Sequence, residues 1–212
     1  MHGYFGRLNR FLSQPLDLSP RVMVGAAALL LAAIYLFPLW NLTMFAPQYP
    51  DGLRLDIYSY KLEGGNHGQD VKEINILNHY IGMKDLVAED FTEFKWLPFV
   101  VGGLALLYLR AMVLGTVGHL VDVLVMNLYF SAFALWSFGY KMYLYGHSLA
   151  PTAAVKVPPF MPPMFGYKQL ANFEVYSYPQ AASYAMGLST LLLVGAFIVA
   201  WRQARRQMHE AA

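Results

Sequence analysis

Hydrophobic and polar positions fall along this chain in long blocks. The run from Val22 to Met44 holds no charged residue, and at 1.5 Å of helical rise per residue it covers a hydrocarbon core of about 30 Å. A second apolar stretch, Trp96 to about His147, is interrupted near its middle by Arg110, His119 and Asp122. Gly115 and Gly118 mark a turn there, dividing the stretch into spans over 96–114 and 119–144. A fourth span covers 182–201. The pattern predicts a mainly α integral membrane protein with four transmembrane helices, a small α+β extracytoplasmic head at 45–95 between helices 1 and 2, and a proline-rich outer loop at 145–181 between helices 3 and 4.

Shorter patterns fill the polar segments. Ala46-Pro47-Gln48-Tyr49-Pro50-Asp51-Gly52 is turn chemistry, after which Leu53, Leu55 and Ile57 alternate with Arg54, Asp56 and Tyr58, the period of a strand. Gly64 to Gly68 breaks the chain. Asp70 is placed to cap a following helix, with Glu73 completing a capping-box pattern, and a short helix is expected from Val87 to Phe94. A head of this size is marginal alone, so it is expected to pack on the other outer loop or on a partner. Before the first span, in the tail at 1–21, Phe5, Leu8, Phe11 and Leu12 recur at helical spacing opposite Arg7 and Arg10. This fits a helix lying in the membrane interface, or a frayed tail with a chance pattern.

Charge sets the expected orientation. Arg7, Arg10 and Arg21 precede the first span, and Arg202, Arg205 and Arg206 open the tail at 202–212. Cytoplasmic loops collect Arg and Lys, so both ends are expected in the cytoplasm of a bacterial inner membrane. The head carries nine acidic residues against five basic ones, which suits the periplasm. An even number of crossings agrees. With 57% hydrophobic residues and a formal net charge of +2, the slight positive balance reflects topology, and the expected surface partner is the lipid bilayer rather than nucleic acid. Cysteine is absent, which excludes disulfides, thiolate metal sites and c-type haem attachment.

Candidate chemistry on the outer side consists of imidazoles and thioethers. His79 and Met83 are four apart, one turn if the helix continues. In Val157 to Gly166, two proline pairs favour a polyproline II conformation that sets Met161 and Met164 on one edge. His147 lies at the outer end of the third span. Imidazole with thioether and no thiolate suits Cu(I), making copper the one cofactor the residue types suggest. Methionines also fill gaps in cores, and a spacing of four is far less specific than a full ligand set. His67, in the glycine-rich turn, reads as a loop residue. Within the membrane, Arg110 and Asp122 are expected to pair across the hairpin, which would reduce the cost of both charges. A proton relay or quinone-proximal site is the functional alternative.

The runs Ala46 to Leu53, Ile74 to Lys84 and Pro159 to Asn172 resemble an uncharacterised bacterial inner-membrane family sometimes found beside nitrous oxide reductase maturation genes. The similarity covers the first span, the head and the proline-rich loop. It implies periplasmic copper delivery or respiratory electron transfer, with Asn75, Asn78, His79, Met83 and the Pro-Met stretch at the matching positions. The chain departs from copper-chaperone patterns in lacking cysteine and dense methionine repeats.

Three functions follow as expectations. The first is a non-catalytic accessory or structural subunit of a membrane complex, docking other subunits through Asn75, Asn78, Phe160 and Phe165. The second is a copper-handling protein using His79, Met83, Met161, Met164 and His147. The third is a haem- or quinone-associated subunit, for which only His119 is a candidate axial ligand. No paired catalytic carboxylates, phosphate loop, nucleophile elbow or zinc signature supports an enzymatic class.

Overall fold

The computed structural model describes residues 2–170 and 172–210; the side chains of Tyr4 and Arg7, and the end of the basic tail, lie outside the described residues. The chain is mostly helical with one small antiparallel sheet. Four helical segments are long and apolar enough to cross a membrane: Leu18–Leu36, Glu93–Leu114, Val117–His147 and Ala181–Arg206. The elements are α1 (His2–Leu12), α2 (Leu18–Leu31), α3 (Ala33–Leu36), β1 (Trp40–Ala46), β2 (Tyr49–Ile57), β3 (Leu62–Gly64), α4 (Gln69–Tyr80), α5 (Glu93–Leu114), α6 (Val117–His147), β4 (Gly166–Leu170), β5 (Phe173–Pro179) and α7 (Ala181–Glu210). They form two compact units, one of Met1–Ala33, Phe99–Ser131 and Tyr184–Ala212, the other of Ile34–Pro98 and Ala132–Ser183.

The first unit is a helix bundle. On α5 the buried residues Val101, Leu104, Tyr108 and Ala111 recur every three or four positions, the stripe an inward-facing helix needs. Ala196, Ala200 and Ala204 line the buried face of α7, and small residues there let backbones approach closely. Polar bonds tie helices together: Ser189 Oγ donates to the Ala27 carbonyl at 2.9 Å, and Asn127 Nδ2 donates to Thr190 Oγ1 at 2.8 Å. The α5–α6 hairpin turns at Gly115, as its sequence predicts. Residues after α1 are stitched to this turn, Leu16 N–H donating to the Gly115 carbonyl at 2.6 Å and Val117 N–H to the Gln14 carbonyl at 3.0 Å. Arg21 Nε in turn donates to the Leu16 carbonyl at 2.9 Å.

The second unit contains a five-stranded sheet in the order β3-β2-β1-β5-β4. Every neighbouring pair is antiparallel. Strands β1 to β3 come from the segment between the first and second apolar helices, and β4 and β5 from the segment between the third and fourth. The two segments meet at the β1–β5 pairing, where Met44 lies opposite Val175 and Leu42 opposite Ser177. Alternation puts Leu42, Met44, Leu53, Leu55, Leu170, Phe173 and Val175 on one face, where Ile74, Leu77 and Ile81 cover them. The head and the outer loop therefore share one core, which relieves the shortage of apolar area that either segment would have alone.

Four expectations are corrected. The first span does not extend to Met44: its helix begins earlier, at Leu18, and ends at Leu36, and Trp40–Ala46 is a strand. A central strand buried on one side and flanked by aromatics reads as an apolar run, indistinguishable by hydropathy from the end of a span. Asp70 does not cap α4, whose N-cap is Gly68 without a side-chain bond. Its buried carboxylate instead accepts the Arg54 N–H and the Asn66 amide, both at 2.8 Å, tying the helix to β2. No α-helix spans Val87 to Phe94; Ala88–Asp90 is a single 3-10 turn and α5 starts at Glu93. Arg110 and Asp122 form no ion pair among the described residues. Both side chains are exposed, one a turn from the end of α5 and the other beyond the first turn of α6, where long or terminal side chains can reach a headgroup level.

Candidate functional site

The nominated ligands are held by separate local contacts. Helix α4 ends at Tyr80, and Gly82 takes a φ of +81°. Met83 N–H then bonds the Asn78 carbonyl at 2.8 Å, and Gly82 N–H the His79 carbonyl at 3.1 Å, the paired bonds of a Schellman terminus. His79 and Met83 are thus not one helical turn apart. The His79 side chain is exposed, and Met83 packs against the apolar core beneath the sheet. Met164 packs its sulfur against Gly139 of α6. Met161 lies in the irregular stretch before β4, its carbonyl accepting from Lys168 Nζ at 2.8 Å. His147 stacks on Tyr143 with ring centroids 3.8 Å apart, and its Nδ1 lies 2.9 Å from the Tyr143 carbonyl. Among the described residues no group of three His, Cys, Asp or Glu side chains is placed to hold a metal ion.

The nominated docking residues divide in two. Asn78 is 1% exposed and neither atom of its amide has a hydrogen-bond partner among the described residues; it belongs to the interior, since it lies on the α4 face turned to the sheet. Asn75 clamps the next loop, its Oδ1 accepting the Leu86 N–H at 2.7 Å. Phe160 packs against the same core. Phe165 alone is strongly exposed, resting edge-on against Tyr178 with centroids 5.4 Å apart. In the bundle, His119 Nδ1 lies 2.6 Å from the Thr116 hydroxyl, which also accepts the His119 N–H at 3.3 Å. His119 is therefore part of the N-terminal cap of α6.

The open face of the sheet gathers half-buried side chains with the exposed Arg54, Tyr167 and Tyr178. Residues alternate with the buried set, so Asn41, Thr43 and Phe45 of β1, Arg54 and Asp56 of β2, Glu174, Tyr176 and Tyr178 of β5, and Tyr167 of β4 stand on the side away from α4. One half is a polar network. Asn41 Nδ2 donates to Asp56 at 2.8 Å, Thr43 Oγ1 donates to Asn41 Oδ1 at 2.9 Å, and Arg54 Nε pairs with Asp56 at 2.9 Å. The other half is aromatic. Tyr176 lies 5.0 Å from Tyr167 and 5.6 Å, edge to face, from Phe45. Partial burial, with the nearby Glu174 carboxylate, pushes the Tyr176 hydroxyl above its ordinary value. Fixed rings beside a satisfied polar network make a rigid surface able to bury area at little cost in side-chain entropy.

Sequence reading missed a cluster at the start of α5. Glu93 accepts the Ser137 hydroxyl at 2.8 Å and lies 3.6 Å from Lys141 Nζ, which also donates to the Asp90 carbonyl at 2.7 Å. The signal was an acid at the mouth of one span and a lysine near the end of another.

Four apolar helices joined to a five-stranded antiparallel sheet, itself assembled from two inter-helix segments, define the chain as an α-helical membrane protein with a composite sheet domain. No family model matches it, and neither a curated protein nor a solved structure is significantly similar to it.

Proposed function

We propose that this chain is a non-catalytic accessory subunit of a bacterial inner-membrane complex, with both ends cytoplasmic and the sheet domain periplasmic, docking a partner through the open face of the sheet. The observation that carries the reading is the exposed aromatic cluster of Phe165, Tyr167 and Tyr178 beside the Asn41–Asp56–Arg54 network. Aromatic residues and arginine are the types enriched at protein interfaces. Orientation rests on the arginines of the two tails and the acidic excess of the head. The resemblance to a family found beside nitrous oxide reductase maturation genes suggests a respiratory metalloenzyme assembly as the setting. The copper reading has weaker support, because Met83, Met164 and His147 are each held in separate packing contacts. A haem role for His119 competes with its bond to Thr116.

Gentle detergent extraction from the native membrane, with metal analysis and mass measurement on the same sample, tests this. The expected result is a metal-free chain with a stoichiometric companion, and loss of that companion when Tyr167→Ala and Tyr178→Ala are combined without a change in melting temperature. About one copper per chain with no companion protein would replace the docking reading with the metal-handling one.

A further inference from the structure

The end of the helix bundle that holds the α5–α6 turn gathers cations without counterions. Helix α2 starts there and α5 and α7 finish there, which brings Arg10, Arg21, Arg110, Arg202, Arg205 and Arg206 to one end of the first unit. The Asn127–Thr190 bond sets α6 and α7 level with each other. Measured from that bond at 1.5 Å per residue, Val117 lies about 15 Å along α6 and Arg202 about 18 Å along α7 in the same direction. The last turns of α7 therefore reach the level of the hairpin. Asp17 and Asp122 are the acids described at this end, both exposed, and neither joins an ion pair among the described residues.

The arginines divide by what already holds them. Arg21 serves the fold, its Nε donating to the Leu16 carbonyl at 2.9 Å and its Nη1 to the Val113 carbonyl at 3.5 Å, at the end of α5 where a cation complements the helix dipole. Arg205 lies over the Trp201 ring, 4.6 Å from its centroid, and an exposed tryptophan is the residue type that settles at the headgroup level. Arg10, Arg110, Arg202 and Arg206 are exposed and take part in no ion pair among the described residues.

An apolar surface adjoins them. Along α1, Phe5, Leu8 and Leu12 follow at steps of three and four, with Arg10 on the far side. Leu12 lies against Gly118, and a bridge between Pro15 and Thr116 fastens the residues after α1 to the hairpin turn, so α1 is held at this end. Phe5 is 64% and Leu8 41% exposed. A soluble anion would satisfy the arginines alone, whereas a surface both cationic and apolar matches a lipid with a negative headgroup.

We infer that this end of the bundle is a binding surface for acidic phospholipid, headgroup phosphates meeting Arg10, Arg110, Arg202 and Arg206 and acyl chains meeting Phe5 and Leu8. Charge selects the occupant. A zwitterionic lipid carries its own cation beside the phosphate, whereas phosphatidylglycerol brings an uncompensated charge that a guanidinium binds through paired N–H donors.

The full chain in maltoside micelles is titrated at low salt with phosphatidylglycerol, with phosphatidylcholine of the same acyl chains, and with soluble glycerol 3-phosphate, and bound lipid is counted by native mass spectrometry. Phosphatidylglycerol should bind roughly tenfold more tightly than phosphatidylcholine, the preference should shrink as ammonium acetate is raised, and glycerol 3-phosphate should not compete. Arg10→Gln, Arg110→Gln and Arg206→Gln combined should remove the preference and leave the melting temperature in phosphatidylcholine unchanged. Equal affinity for the two lipids, a preference indifferent to salt or to the triple variant, or displacement by glycerol 3-phosphate would overturn the inference. The unaltered chain supplies the lipid, salt and competition readouts, so they stand even where the variant fails to fold. Binding in micelles is independent of the orientation and of the docking role of the sheet.

Discussion

Trp40 donates its indole N–H to the Ser177 hydroxyl at 2.8 Å, although 137 residues of chain separate them. Ser177 is fully buried and passes its own proton to the Met164 carbonyl at 3.0 Å. This relay fastens the strand after the first apolar helix to the strand before the last one. Ser177→Ala leaves a donor and an acceptor without partners and should cost about 1–3 kcal/mol. Thermal melting in detergent, followed by tryptophan fluorescence, reads the loss; an unchanged melting temperature would show that the relay adds nothing to the β1–β5 contact.

Asn78 carries the opposite expectation. A buried amide with both atoms unpartnered is a burden on the fold, and Asn78→Leu, close to it in volume, should raise stability by about 1–3 kcal/mol. Destabilisation would mean that the amide has a function in packing that an apolar side chain of similar shape cannot replace.

Tyr49 donates its hydroxyl to the Glu73 carboxylate, and Gln69 adds a bond at 3.1 Å. The Tyr49 bond, then the Gln69 bond, holds Glu73 below its ordinary 4.5. A carboxylate depressed on folding stabilises the native state above its ordinary value, and that contribution disappears as pH falls through the depressed one. The same bond to Glu73 raises Tyr49 above 10.0, so on the alkaline side the contribution is present below 10.0 and lost as pH rises through the raised value. Melting temperature measured across both limits should depend less on pH in the Tyr49→Phe, Glu73→Gln double variant. Parallel curves for variant and parent would remove the pair from the pH response.

Gly146, near the end of α6, is where the proline-rich stretch docks. Phe160 N–H donates to its carbonyl at 3.0 Å, and a Cβ built on Gly146 would fall on the Phe160 carbonyl oxygen, inside any allowed contact. Because that neighbour is backbone, Gly146→Ala must displace the stretch. Limited proteolysis should then cut between Ser148 and Phe165 several times faster than in the parent; equal rates would show that the segment can shift without being released.

Orientation is checked by labelling. Lys72 and Arg206 are both exposed, and in intact cells an impermeant thiol reagent should modify Lys72→Cys and spare Arg206→Cys. The reverse pattern would invert the proposed topology. Gly65, in the same head, is a poor site for such a probe because a side chain there would run into the Asp70 carboxylate.

How much was legible in advance differs by element. The Val22 run, the stretch broken at Gly115 and the last apolar block gave the four apolar helices, and Leu53, Leu55 and Ile57 gave the core of β2, because periodicity and length are local properties. Residue type did not separate Phe160 from Phe165: the sequence nominates both for docking, yet Phe160 packs against the core and Phe165 is strongly exposed. The open face of the sheet could not be read, because β5, with β4 hairpinned onto it, joins β1 by pairing with residues more than 120 positions away.

The sequence by itself determined where the chain is apolar enough to cross a bilayer, where it must turn, and which strand alternates. Tertiary structure decided that Trp40–Ala46 is a strand and not the end of a span, that the two inter-helix segments form one sheet, and that Gly82 parts His79 from Met83. The physical reason is common to all three. A hydrophobic run records only that its residues leave water, and whether they enter lipid, a sheet core or a helix terminus depends on backbone hydrogen-bond partners and packing neighbours supplied by distant parts of the chain.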